Sequence, residues 1–437
     1  MNPRVLYRAA TYAADARSTA DSVISALTPA AWYRNATDVV SSGGFASIWA
    51  DYADSNKGLV LPGVAGNYAS APDSAAISIT GDIEIQIKVR LSDYTPGSNT
   101  ALVTKHETAG QKSFNLWIAT TGVLVFAYSP DGTATISASA SAATGVTDGD
   151  ITWFKTTFVS ATGKVNFYKS TDGSAWSAIG VEQTIASGSI FNGTDILRIG
   201  SGAANFPING TVYRTVIKSG IDGTTVFDAD FSAQAIGAGS FTESSSNAAT
   251  VTINTSGALP AHIGKARDLL QGTGTNQPAY SAGVFTFDGV DNYMTALTWA
   301  QAQPITLVLV GKQVTWTITD RLCDGTTADT ASINQLTGTP TVGANSAASN
   351  TDWAVNTRGI VCAVFNGASS SLRVNNNAKT TGNAGAVASG GFILGARAGP
   401  GQYGNLAAEE VIMFPSALSD ANQSAVITTL NNALTVF

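Results

Sequence analysis

Hydrophobic and polar residues alternate with period two along much of this chain, most regularly over residues 77–91. Ile77, Ile79, Ile83, Ile85, Ile87, Val89 and Leu91 hold every second position, with Gly81 in one slot. Ser78, Thr80, Asp82, Glu84, Gln86, Lys88 and Arg90 fall between them. Successive side chains of a strand point to opposite faces, so this spacing predicts one buried and one wetted face of an antiparallel sheet. Shorter strands are predicted over residues 101–104, 114–119, 123–128, 152–159, 165–170, 197–200 and 211–218. Turns such as Pro130-Asp131-Gly132, Asp148-Gly149-Asp150 and Thr171-Asp172-Gly173 part them, because these residues suit tight backbone reversals. Many short strands so spaced predict a β-sandwich or jelly roll. Helix is scarce. Residues 13–27 can form one, with Val23, Ile24 and Leu27 on one side. A second is better marked: Ser419 suits an N-cap, Asp420 the positive helix end, and Ile427, Leu430 and Leu434 share a face.

The second half repeats the plan of the first. GNY at 66–68 precedes the long alternating strand much as DNY at 291–293 precedes ITLVLVGKQV at 305–314. WFKTTFVSATGKVNFYKSTDG (153–173) matches RGIVCAVFNGASSSLRVNNNA (358–378), and residues 196–220 match 392–416. Three matched segments in one order point to a duplicated domain. The Ser-, Gly- and Ala-rich stretch between them reads as a linker holding a short strand at 250–253. The expected division is an N-terminal arm at 1–28, a first sandwich at 29–232, a linker at 233–257, and a second sandwich with the C-terminal helix at 258–437. The repeat also decides how to read VFTFDGVDNYMTA (284–296). Its Asp288 and Asp291 suit either a site or a strand corner, but the first copy has GVAGNY there, without either aspartate. A duplicated active site would keep its carboxylates. The corner is the expectation.

Composition narrows the partners. The 437 residues suit two domains, and charged residues form 12% of the chain, about half the usual share of roughly 25%. A net charge of −7 without clustered Lys and Arg opposes nucleic acid, whose binding releases phosphate counterions, and opposes an anionic membrane surface. Apolar runs such as ITLVLVG are far too short to cross a bilayer. The N-terminus lacks the continuous apolar core of a secretory signal, so export is expected by another route, such as lysis. Of the two cysteines, Cys323 and Cys362, the second lies in IVCAVF, where it reads as a small buried hydrophobe. Their spacing supports neither a disulfide nor a zinc site.

At this point the residues resemble a known family. NYASAPDSAAISITGDIEIQIKVRL (67–91) is similar to the opening of laminin-G-like, concanavalin A-like jelly rolls, and EEVIMFPSALSDANQ (409–423) to their closing strand. The tail helix and GIDGTTVFDADFS (220–232) resemble variants common in phage virion proteins. The resemblance implies an all-β protein of two tandem concanavalin A-like β-sandwich domains, with a short N-terminal arm and a C-terminal helix. It says little of activity, because the fold hosts lectins, glycosidases, adhesion modules and inert structural domains. Members of the family often hold calcium at a loop edge through carboxylate and carbonyl oxygens. That makes Asp222, Asp228 and Asp230 candidate ligands, with Asp288 and Asp291 a second group; the alternative is turn aspartates and no cofactor.

Candidate chemistry is sparse. The paired carboxylates of a glycosidase find only DIEIQ and AAEEVIM, where Glu84 lies on a polar strand face and Glu409 and Glu410 point to opposite sides. His106 and His262 occupy unrelated positions and read as isolated surface histidines. Glycan binding needs exposed aromatics, and Trp176, Trp353 and Tyr403 sit in polar, glycine-rich contexts that suit loops. Trp32, Trp49, Trp117, Trp153 and Trp316 lie beside apolar residues and read as core. The expected function is a non-enzymatic phage virion protein, a capsid decoration, fibre or tail appendage on the particle surface. Its expected partners are other virion proteins through the arm, where Arg4, Arg8 and Arg17 lie among apolar residues, further copies of itself, and host surface glycans. A glycan-binding adhesin and a polysaccharide-cleaving enzyme are the alternatives.

Overall fold

The computed structural model describes residues 3–202, 206–338, 340–345 and 347–437, with side chains from Ala13 onward. The chain forms two compact units: Asn56–Ala266, and a second built from Met1–Ser55 with Arg267–Phe437. The sheets are antiparallel throughout, and the all-β jelly-roll class read from the alternation holds in both units.

The Asn56–Ala266 unit is a sandwich of two sheets. One runs Ser177–Ala178, Lys164–Ser170, Ile151–Val159, Ile83–Leu91, Asn209–Ser219, Gly58–Pro62 and His262–Gly264, with Thr224–Asp230 also on Asn209–Ser219. The other runs Ile136–Ser139, Leu124–Tyr128, Phe114–Ile118, Thr100–Lys105, Leu197–Ile199, Tyr68–Ala71, Thr250–Asn254 and Ser240–Thr242. Ile83, Ile85, Ile87 and Val89 from the first sheet share one core with Phe114, Leu116, Ile118 and Phe126 from the second. Burying a side chain of this size contributes about 1.5–3 kcal/mol. The strand starts at Ile83 rather than Ile77, because Ala75–Ile77 coils into a 3-10 turn. Ile77 and Ile79 still reach the core.

The other unit repeats this ladder. Ser370–Val374, Gly359–Phe365, Ile305–Gln313, Asn405–Phe414 and Ala31–Tyr33 lie in the order of Lys164–Ser170, Ile151–Val159, Ile83–Leu91, Asn209–Ser219 and Gly58–Pro62. Here both faces are covered. Leu307, Leu309, Val361 and Ala363 face one core, while Val308, Val310, Ile360 and Cys362 face another. That second core also holds Ala20 and Ile24 of the helix Pro3–Ala26 and Val426, Ile427 and Leu430 of the helix Asp420–Leu434. A strand buried on both sides reads as a continuous apolar run, which is why ITLVLVG does not alternate. Ser419 caps the second helix by accepting from the Asn422 N–H, as its position predicted.

Two expectations are corrected. Residues 29–55 do not belong to the first sandwich, because Ala31, Trp32 and Tyr33 pair with Met413, Ile412 and Val411 and Trp49 stacks on Phe285 at 4.0 Å. The span 233–257 is no linker: Thr250–Asn254 pairs with Tyr68–Ala71, and the buried Glu243 carboxylate accepts from the Asp228, Ser245 and Ala249 N–H groups. The arm forms the helix Pro3–Ala26, and its Arg17 pairs with Glu410, with Nη1 2.7 Å from Oε2; the Arg4 and Arg8 side chains lie outside the described residues.

Candidate functional site

A pocket of about 140 Å³ opens on the sheet containing Thr100–Lys105 and Phe114–Ile118, lined by Asn99, Ala101, Asn115, Trp117 and Phe206. Strand alternation builds its floor. Phe114, Leu116 and Ile118 point into the core, so Asn115 and Trp117 must point out, and both are half-buried. A register shift between Ala101 and Val103 sets Ala101 opposite Trp117, and bulges of this kind re-aim side chains. One wall is Phe206, 43% exposed and held at φ +67° while its carbonyl accepts from the Ala101 N–H at 2.9 Å. A non-glycine residue in that left-handed region costs about 1–3 kcal/mol and persists where its surroundings over-determine it.

The chemistry of the lining is specific. Among the described lining residues, two aromatic rings offer flat apolar faces, two amides offer donors and acceptors, and none is charged. The Asn115 Oδ1 is buried and accepts no hydrogen bond from any described protein group. Leaving such an atom unpaired costs about 1–3 kcal/mol. The volume is below the roughly 300 Å³ where drug-sized clefts begin. It takes one ring.

No protein-family model and no curated protein matches the sequence. Among solved structures, the chain is similar to mouse laminin α1 chain domains LG4-5, at 10% identity and a TM-score of 0.32, covering 87% of this chain and 94% of that one. It is similar to the Ruminococcus gnavus IT-sialidase CBM40 bound to α2,3-sialyllactose, at 11% identity and a TM-score of 0.29, over 36% of this chain and 88% of that one. It is also similar to the Trypanosoma rangeli sialidase in complex with the inhibitor DANA, at 10% identity and a TM-score of 0.27, over 72% and 68%. What those proteins bind is a property of those proteins.

Of the aromatics singled out in the sequence, Trp176 is half-buried, with the Lys155 Nζ 4.7 Å from its ring centre. Tyr403 is half-buried in the other unit, 6.4 Å from the Tyr293 ring. Trp353 is corrected: it is 1% exposed, its indole N–H donates to the Thr357 carbonyl at 3.0 Å, and it cannot meet a ligand. Trp117 is the opposite correction, a tryptophan read as core that lines the pocket. Period two in FNLWI held the signal, since Trp117 shares a face with Asn115 rather than with Leu116.

The carboxylates have other partners. Asp228 forms a two-bonded pair with Arg214 at 2.6 and 2.7 Å, Asp230 caps a 3-10 turn by accepting from the Ser232 and Ala233 N–H groups, and Asp222 is an exposed turn residue 3.9 Å from the Lys218 Nζ. Among the described residues no three His, Cys, Asp or Glu gather as a metal site. Asp288 closes its own corner by accepting from the Val290 N–H at 2.8 Å, and Gly289 supplies the φ of +76° the turn requires. The corner reading stands. Glu84 is fully buried against the Lys218 Nζ, the Gln86 amide and the Asp222 N–H, and Glu409 is held by Arg358. His262 is buried rather than at the surface. His106 is pushed down to about 4 by burial and the nearby Lys112 charge. Both cysteines are free and buried, on opposite sides of the strands that carry them.

Proposed function

We propose that this chain is a non-enzymatic, glycan-binding surface protein whose Asn56–Ala266 sandwich holds one uncharged sugar ring against Trp117 and Phe206. The observation that carries this is the grouping of Trp117, Phe206, Asn99 and Asn115 around one pocket, with the Asn115 Oδ1 lacking a described protein partner. A pyranose matches that set, with C–H faces for the rings and hydroxyls for the amides. Binding without catalysis is supported by the carboxylates weighed as catalysts: Glu84, Glu409 and Glu410 are each paired with a cation. Display on a phage particle is the setting that the tail helix and residues 220–232 resemble, and immunogold labelling of purified particles checks it.

Titration of the full chain against a panel of neutral monosaccharides and short oligosaccharides tests the site. Saturable binding is expected, weakened roughly tenfold, about 1.4 kcal/mol, by Trp117→Ala and also weakened by Asn115→Ala. Undiminished binding in both variants would remove the site from the proposal.

A further inference from the structure

The opposite sheet of the same sandwich carries a second and chemically different surface. Its outward face is laid out by register. Lys88 sits opposite Trp153 and Arg214, and Lys155 sits opposite Gln86 and Tyr168. Lys88 and Lys155 are therefore diagonal neighbours on adjacent strands, about 7–8 Å apart and somewhat less between Cβ atoms. Three other cations on this face have carboxylates: Lys218 has Glu84, Lys164 has Glu182 and Arg214 has Asp228. Lys88 and Lys155 lie against rings instead. The Lys88 Nζ lies 5.6 Å from the Tyr213 ring centre, and the Lys155 Nζ lies 4.9 Å from Tyr168 and 4.7 Å from Trp176. Like charges on diagonal neighbours of a sheet repel, by on the order of 1 kcal/mol where the charges themselves come within about 8 Å. In a protein of net charge −7, nothing in bulk composition demands them there. An anion bridging the pair relieves the repulsion, and the half-buried Tyr168 and Trp176 flank it with faces suited to a sugar ring.

We infer that this face binds an acidic polysaccharide through its uronate carboxylates, which Lys88 and Lys155 grip while Tyr168 and Trp176 pack against the rings. This site is separate from the neutral pocket and does not rest on it. Isothermal titration of the full chain with polygalacturonate, with dextran as the uncharged control, tests it. Polygalacturonate is expected to bind and to weaken as salt rises, and dextran to bind no better to this face than to the variants. The Lys88→Gln, Lys155→Gln double variant should lose roughly tenfold in affinity, and the Lys88→Arg, Lys155→Arg double variant should keep most of it. Trp117→Ala should leave polygalacturonate binding unchanged, which separates failure here from failure of the pocket. Equal binding by the Gln variant, absence of binding by the unaltered chain, or a preference for dextran sulfate or single-stranded DNA over polygalacturonate would each overturn the assignment.

Discussion

Asp51 shows what a single buried group does here. It is fully buried, its Oδ1 accepts from the Trp32 and Ala53 N–H groups, its Oδ2 has no described partner, and the Asp268 carboxylate accepts from its own N–H. Burial pushes the carboxyl up to about 7 against those two donors, with the Asp268 charge adding to the rise. The unfolded chain releases this proton near the ordinary value of roughly 4. Between about pH 4 and 7 the folded state therefore binds the extra proton, so stability falls as pH rises through that window and the loss is complete above it. The whole effect is on the order of 4 kcal/mol, at about 1.4 kcal/mol per pKa unit. Asp51→Asn should flatten this dependence and melt above the unaltered protein at pH 8, with the difference shrinking toward pH 4, as thermal denaturation at a series of pH values would show. Neither this carboxyl nor the Asn115 oxygen is legible in the sequence, since an aspartate or asparagine near a turn is ordinary. Trp117 was legible, through the alternation of FNLWI, but its apolar neighbours disguised it.

Helices are few and one of them is pinned by charge. Arg17 of Pro3–Ala26 meets Glu410, whose side chain is fully buried and also accepts from the Trp32 indole and the Asn35 N–H. Removing one member of a buried pair strands the other, at about 3–5 kcal/mol. Arg17→Ala is expected to lower the melting temperature of this unit, and Arg17→Ala with Glu410→Gln to recover part of the loss, because no charge is left stranded although the single glutamine oxygen serves only one of the two N–H donors, which reach different carboxylate oxygens. The strands themselves were read well from period two, since alternation is a local consequence of one buried face. The coiled start at Ala75–Ile77 was not: its isoleucines keep the rhythm of a strand while the backbone turns. The helix Asp420–Leu434 was legible because its cap, charge and apolar face are all local.

At the scale of the whole molecule, one sandwich interrupts the sequence of the other. Both sheets of Asn56–Ala266 draw their strands from that stretch alone, so a fragment of these residues should fold cooperatively and keep the affinities of its two faces. Calorimetry and titration of the fragment check this, and a molten fragment would contradict it. The sequence alone determined the strand content, the duplicated plan and the low charge, because each is written in neighbouring residues or in matching segments. Tertiary structure decided where the units divide, since Ala31–Tyr33 finds its partner in Asn405–Phe414 far along the chain. It also decided which residues meet. Lys88 and Lys155 are scattered cations in the sequence and diagonal neighbours in the sheet, because strand register, not sequence distance, sets what a side chain touches.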